Sequence, residues 1–250
     1  MTTLERILAV TFSDPVPAPD PDERQSLRDH MTALYGDLAD PVWPDGQALV
    51  SYHRMARAVV RELGPDLAGV DLVITVDAGP DCRHQSFAGP VLADLLPGEP
   101  AVLGVSEQGV AGPFTALRIA WRYLASGAAH RALVVVMEQS TLPPPALTGP
   151  AGPDVAVAMV LGPDGTVRLG LPEVTATRSG QRAAAPSGST CTGVWRALAD
   201  RLAGDHDGAT ILVTDRDPVL PYQGSMTVTR PAGVRSPFSP RPLRIPEPVR

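Results

Sequence analysis

The stretch VSEQGVAGPFTALRIAWRYLASGAAHRALVVVMEQ, residues 105–139, decides how the chain reads. It opens on the end of an apolar run at 101–106, a candidate strand, and turns through Gln108 and Gly109, residues that suit a tight turn. Apolar residues then recur at helical spacing over 111–126, with Arg118 and Arg122 four apart on one face as solvated or interface charges. Gly127 stops the helix, because glycine takes the left-handed conformation of a C-cap without steric cost. The run ALVVVM at 132–137 is continuous and rich in β-branched residues, the pattern of a strand buried on both faces.

Working outward, the same texture repeats. Residues 7–12 read as a first strand and 22–38 as a helix; a second helix starts near Asp45, a possible cap, and runs through 48–63. DLVITV at 71–76 is another buried strand, 86–96 a helix, and VAVAMVL at 155–161 with 166–171 a hairpin around the turn Gly162-Pro163-Asp164-Gly165. Strands alternating with helices imply an α/β layered domain with a largely parallel central sheet. After about residue 175 the chain turns small and polar over 178–189, followed by a helix at 191–202, a strand at 209–214 and a last strand at 225–229. Prolines 231, 237, 240, 242, 246 and 248 keep the segment 231–250 extended, as a tail suited to wrapping a neighbour.

Composition narrows the chemistry. All 21 basic residues are arginine against 27 acids, a net charge of −6, so there is no basic footprint for nucleic acid and no polybasic membrane anchor. The chain contains no lysine and no asparagine, which excludes Schiff-base lysines and catalytic asparagines outright. Cys82 and Cys191 stand far apart, in no metal-ligand spacing, so neither a disulfide framework nor a zinc site is expected, and no cofactor is implied. Residues 1–10 lack the pattern of a secretory signal, and no apolar run approaches the roughly 20 residues of a membrane helix. A reduced, cytoplasmic protein is expected.

Residues 105–139 resemble the nucleophile segment of β-ketoacyl-ACP synthase III in the thiolase superfamily: a strand, a tight turn, a helix ending in Ser126-Gly127, a buried strand and an acid, Glu138. Upstream, DLVITVDAGPD at 71–81 resembles that family's strand and loop; downstream, GPDVAVAMVLG at 152–162 resembles its Gly-Asp-Gly-Ala strand, with Asp154 kept. The likeness covers roughly residues 5–175, the first of the two pseudo-repeats of such a subunit. It implies a thiolase-like layered αβαβα sandwich with the first half complete and the second half reduced, since only about 75 residues follow position 175. The implied organisation is a thiolase-like half at 1–175, a truncated half at 176–230 and the tail at 231–250.

The same resemblance places Val110 where the family carries its nucleophilic cysteine. A thiolate there takes up the acyl group, helped by the helix N-terminus and by backbone N–H groups that receive the oxyanion. Valine has no lone pair, Asp215 stands near the place expected for the family's histidine, and the family's asparagine has no counterpart. His206, the one histidine after residue 130, falls in a polar loop. A synthase fold without synthase chemistry is therefore expected. It would be a silent subunit that pairs with a full-length ketosynthase III-like homologue, with acyl carrier protein or acyl-CoA as further partners.

By resemblance, Leu95 and Leu96 lie near the partner's acyl tunnel, and Gly109, Val110, Ala111 and Gly112 form the degenerate turn. Ala132, Leu133, Val134, Val135 and Val136 are the expected contact with the partner. The alternative is an acyltransferase, thioesterase or cyclase acting through Cys82, which adjoins His84, or through Ser106; a stand-alone binder of acyl chains or carrier protein is a third reading. Cys191 opens a helix, which would lower its thiol pKa slightly, and Thr75, Asp77 and Asp81 read as caps and turn formers.

Overall fold

The computed structural model describes residues 2–13, 20–36, 50–79, 81, 87–139, 154–176, 190–204, 208–218 and 220–232. Nine strands appear in them: β1 (Thr3–Thr11), β2 (Leu72–Asp77), β3 (Ala101–Ser106), β4 (Ala132–Glu138), β5 (Val155–Gly162), β6 (Val167–Leu169), β7 (Glu173–Ala176), β8 (Thr210–Arg216) and β9 (Tyr222–Thr229). Five helices accompany them: α1 (Pro21–Tyr35), α2 (Tyr52–Leu63), α3 (Ala88–Leu95), α4 (Gly112–Ser126) and α5 (Gly193–Ala203). None of these helices is long and apolar enough to cross a membrane.

The strands form one curled sheet in the order β3-β2-β4-β5-β1-β6-β9-β7, with β8 also paired to β9. Only β3, β2 and β4 run parallel; β5, β1 and the later strands pair antiparallel, so the expected largely parallel sheet is confined to one end. The expected hairpin of residues 155–161 with 166–171 does not form. β1 enters between its two arms, pairing β5 on one edge and β6 on the other. Antiparallel pairing needs only matching registers, so a segment distant in sequence can displace the local partner.

Period-2 alternation distributes the strands' side chains over both faces. Leu72, Ile74, Val134, Val136, Val157 and Met159 join one apolar cluster with α4 and α5. Val73, Leu133, Val135, Ala156 and Ala158 join the other, with α2 and α3. The first cluster continues through Phe114 and Trp195 to Ile211, Val213, Met226 and Val228 of β8 and β9, so α4 and α5 lie between the two arms of the curled sheet. Among the described residues no helix covers the outward face of β8, where Leu212 is 65% exposed. The layers among the described residues are thus α, β, α, β.

Local chemistry explains the element ends. Ser51, not Asp45, caps α2, its hydroxyl accepting from Arg54 N at 3.3 Å, and the Asp81 carboxylate accepts Tyr52 N at 3.1 Å. Gly127 ends α4 at φ 74°, where glycine is free of strain. Arg131 grips Glu5 through Nε at 2.9 Å and Nη2 at 2.6 Å and also donates to the carbonyls of Ala68 and Asp66, tying the start of β4 to β1 and to the turn after α2.

β4 corrects one expectation. Ala132, Leu133, Val134, Val135 and Val136 are buried in the sheet centre, with β2 along one edge and β5 along the other, so neither backbone nor side chains are free to meet a partner. At this end of the sheet, among the described residues, the open edge is that of β3, in which Ala101, Val102, Gly104 and Ser106 are exposed.

Candidate functional site

The strand-to-helix turn after β3 is tight and strained. Glu107 holds a left-handed φ of 57°, uncommon for a residue with a Cβ, and Gly109 follows at 51°. Residues 109–111 then make one 3-10 turn that leads into α4. Thr115 donates from Oγ1 to Gln108 Oε1 at 2.7 Å, which holds the turn against the first turn of α4.

Val110 is 3% exposed at the start of this turn. Its N–H donates to Asp217 Oδ2 at 3.0 Å, while Asp217 Oδ1 accepts Leu220 N at 2.7 Å. A Cβ on Gly109 would overlap the Asp217 carboxylate, so glycine at 109 is what allows the acid to reach the N–H. A carboxylate at the N-terminal end of a helical segment is favoured by the orphan N–H groups and the helix dipole, as any anion would be. The chain's own acid thus takes up the N–H at the start of the turn. Asp217, and not Asp215, makes this contact; Asp215 is buried at the end of β8. The spacing DRD at 215–217 was the only sequence signal for it, since alternate residues at a strand end point the same way.

Asp217→Ala would leave the buried N–H of Val110 without an acceptor. The expected loss is about 1–3 kcal/mol in denaturant unfolding. An unchanged midpoint would show that the contact contributes nothing.

Cys191 lies nearby at 5% exposure. Burial pushes its thiol well above the usual range, and the charges of Glu138, Asp215, Asp77 and Asp217 push the same way. The expected lowering at the helix start does not occur, and the thiolate needed of a nucleophile is disfavoured. Glu138 is itself raised by burial; its Oε2 accepts from Thr192 N at 3.1 Å and Oγ1 at 2.6 Å, which fastens the end of β4 to the start of α5.

A cavity of about 530 Å³ opens on the other face of the sheet, at the C-terminal ends of β2 and β3 and beneath the first turn of α3. Thr75, Asp77, Ser106 and Glu107 line it from the strands, with Phe87 and Val102 on its apolar side. Tyr52 and Asp81 at its back are committed: Tyr52 Oη donates to Gly79 O at 3.0 Å, and Asp81 Oδ1 accepts Gln139 Nε2 at 2.8 Å. Asp77, read from sequence as a turn former, is a cavity residue whose carboxyl is raised to about 7 by burial and by the charge of Asp81.

The expected ligand residues divide accordingly. Ser106 reaches the cavity, but Gly109, Val110, Ala111 and Gly112 do not line it, being enclosed by Asp217, Leu220 and Val76. Leu96 is part of the core beneath α2 and Leu95 ends α3 half-buried; neither lines the cavity, because α3 presents its N-terminal residues to it. Cys82, His206, the segment 178–189 and the tail beyond 232 lie outside the described residues. Among the described residues no cluster of His, Cys, Asp and Glu is arranged to hold a metal ion.

Helices buried between two arms of a curled sheet, with a strained strand-to-helix turn at their start, define a thiolase-like fold, and comparison with solved structures agrees. The chain is similar to ChlB3, an acyltransferase, with TM-score 0.59 and 15% identity over 95% of this chain and 99% of that one. It is also similar to the 3-oxoacyl-(acyl carrier protein) synthase III FabH of Xanthomonas oryzae pv. oryzae, with TM-score 0.58 and 12% identity over 91% and 98%. Germicidin synthase from Streptomyces coelicolor, a type III polyketide synthase, gives TM-score 0.51 and 14% identity over 91% and 99%. The likeness therefore extends beyond residue 175 into the second half. No protein-family sequence model and no curated protein sequence matches the chain.

Proposed function

We propose that this chain is a catalytically silent subunit of the ketosynthase III type. In this reading it pairs with an active synthase homologue in polyketide or fatty-acyl biosynthesis and shapes or stabilises that partner's acyl pocket. The observation that carries the reading is the Val110–Asp217 contact. A condensing enzyme needs a thiolate at that position and a vacant N–H to receive the thioester oxygen. Here the side chain is a buried valine and the N–H is bonded to the chain's own carboxylate.

The open edge of β3 supports pairing. A strand with unpaired N–H and C=O groups and exposed Val102 is a ready template for another strand, and two-fold pairing would join the sheets of two subunits.

Two measurements test the proposal together. Incubation with acyl-CoA or acyl carrier protein followed by intact-mass spectrometry should show no covalent adduct. Co-expression with a full-length ketosynthase III-like protein encoded beside it should yield a heteromer that Val102→Pro disrupts, since Ala101 N–H donates to Asp71 and alternation turns the next N–H to the open edge. An adduct on Cys82 or Ser106 would overturn silence in favour of an acyltransferase. A protein that stays monomeric and captures no such homologue would overturn the partnership.

A further inference from the structure

The cavity beneath α3 has a chemistry that the silent turn does not share. Its volume falls in the range of small-molecule sites, and it lies at the carboxyl ends of parallel strands, where α/β sheets collect ligands. Glycines keep it open: Thr75 faces Gly104 across the β2–β3 pair, and a Cβ on Gly89 would come 2.7 Å from Val102 Cγ1. The described titratable residues that line it are His30, Tyr52, Asp77, Asp81 and Glu107, and no arginine is among the described lining residues. Among the described residues an anion would thus meet three carboxyl groups against a single histidine.

Asp77 differs from the other acids in what it has left to do. Asp81 is held by Tyr52 N and Gln139 Nε2. Asp77 Oδ1 is enclosed by protein yet has no hydrogen-bond partner among the described residues. A buried carboxyl with an unsatisfied oxygen is costly to ionise, so a cation against the part of Asp77 that lines the cavity is favoured. Hard metal ions require several oxygen ligands at once, and no such set is present among the described residues. An organic ammonium needs one carboxylate and an apolar wall for its body. Phe87, Ala88, Pro90, Val102 and Val105 supply that wall, and the Phe87 ring suits a cation as well as a hydrocarbon.

We infer that this cavity binds a small primary amine as its ammonium ion, with Asp77 as counter-charge and Phe87 and Val102 against its apolar body. Calorimetric titration at pH 8, where Asp77 is ionised, tests the assignment with three probes of one shape: 2-phenylethylammonium, 2-phenylethanol and 3-phenylpropionate. The ammonium should bind at millimolar concentration or below, with the alcohol at least tenfold weaker and the carboxylate silent. Asp77→Asn keeps the shape and removes the charge, and should weaken the ammonium by tenfold or more. Gly104→Leu keeps every charge and places a side chain on the cavity face of β3, so it should block all binding; circular dichroism confirms that each variant is folded. The inference is overturned if the ammonium neither binds nor raises the melting temperature, if the alcohol or carboxylate binds as tightly, or if Asp77→Asn binds the ammonium unchanged.

Discussion

Asp77→Asn is expected to stabilise the protein by about 2–4 kcal/mol at pH 8 and to change it little near pH 4. Burial and the charge of Asp81 raise the carboxyl from its ordinary value of 3.8 to about 7 in the folded chain. A raised carboxylate means that the folded state binds the proton more tightly than the unfolded one, so stability is fullest below pH 4 for this group and falls as pH rises towards 7. A shift of that size is worth at most about 4 kcal/mol, at roughly 1.4 kcal/mol per pH unit. The groups facing Asp77 do not relieve it, since Asp81 adds to the negative side and the Tyr52 hydroxyl is committed to Gly79. Urea unfolding of both proteins between pH 4 and 8 checks this. Curves that stay parallel across the range would show that Asp77 is not destabilised when ionised. Glu138, also raised by burial, works in the same direction, so wild type itself should lose stability from pH 5 to 8.

Phe114→Ala should destabilise the protein by about 3–5 kcal/mol. Phe114 is 0% exposed at the centre of the layered core, its ring 4.8 Å from that of Trp195 and tilted by 59°. It joins α4, α5 and β9, so truncation leaves a void walled by three elements and removes an aromatic pair worth about 1 kcal/mol on its own. The ring also explains Gly224, because a Cβ there would overlap it. Gly224→Ala alone should cost about 1–3 kcal/mol by overpacking. In the Phe114→Ala background the same substitution should cost little, since the methyl enters the void. Thermal unfolding of the four proteins of the cycle measures this, and simple additivity would show that Gly224 does not pack on the ring.

Several elements were legible because their information is local. The run 101–106 and the helix that follows it appear where the spacing puts them, as do the ALVVVM strand and its neighbour at 72–77. Others were shifted by tertiary partners. α2 begins at Tyr52, where Ser51 and Asp81 together satisfy its first N–H groups. The last strand lengthens to Tyr222–Thr229 because it pairs with β6, β7 and β8. β7 went unread, being four residues of an irregular polar stretch that only β9 makes into a strand.

The candidate site divides along the same line. The chain's composition, without asparagine or lysine, and valine at position 110 are properties of the sequence alone, and the proposed silence rests on them. That Asp217 reaches Val110 N across 107 residues is a matter of tertiary structure. So are the orphaned oxygen of Asp77 and the depth of its cavity. β4 shows the reason most plainly. Its apolar run announced burial on both faces, yet whether its edges were open to a partner or closed by β2 and β5 depended on which distant strands paired with it. Periodicity and propensity act over a few residues and so can be read along the chain, whereas strand order, buried charge and cavities are set by contacts that exist only after the chain has closed on itself.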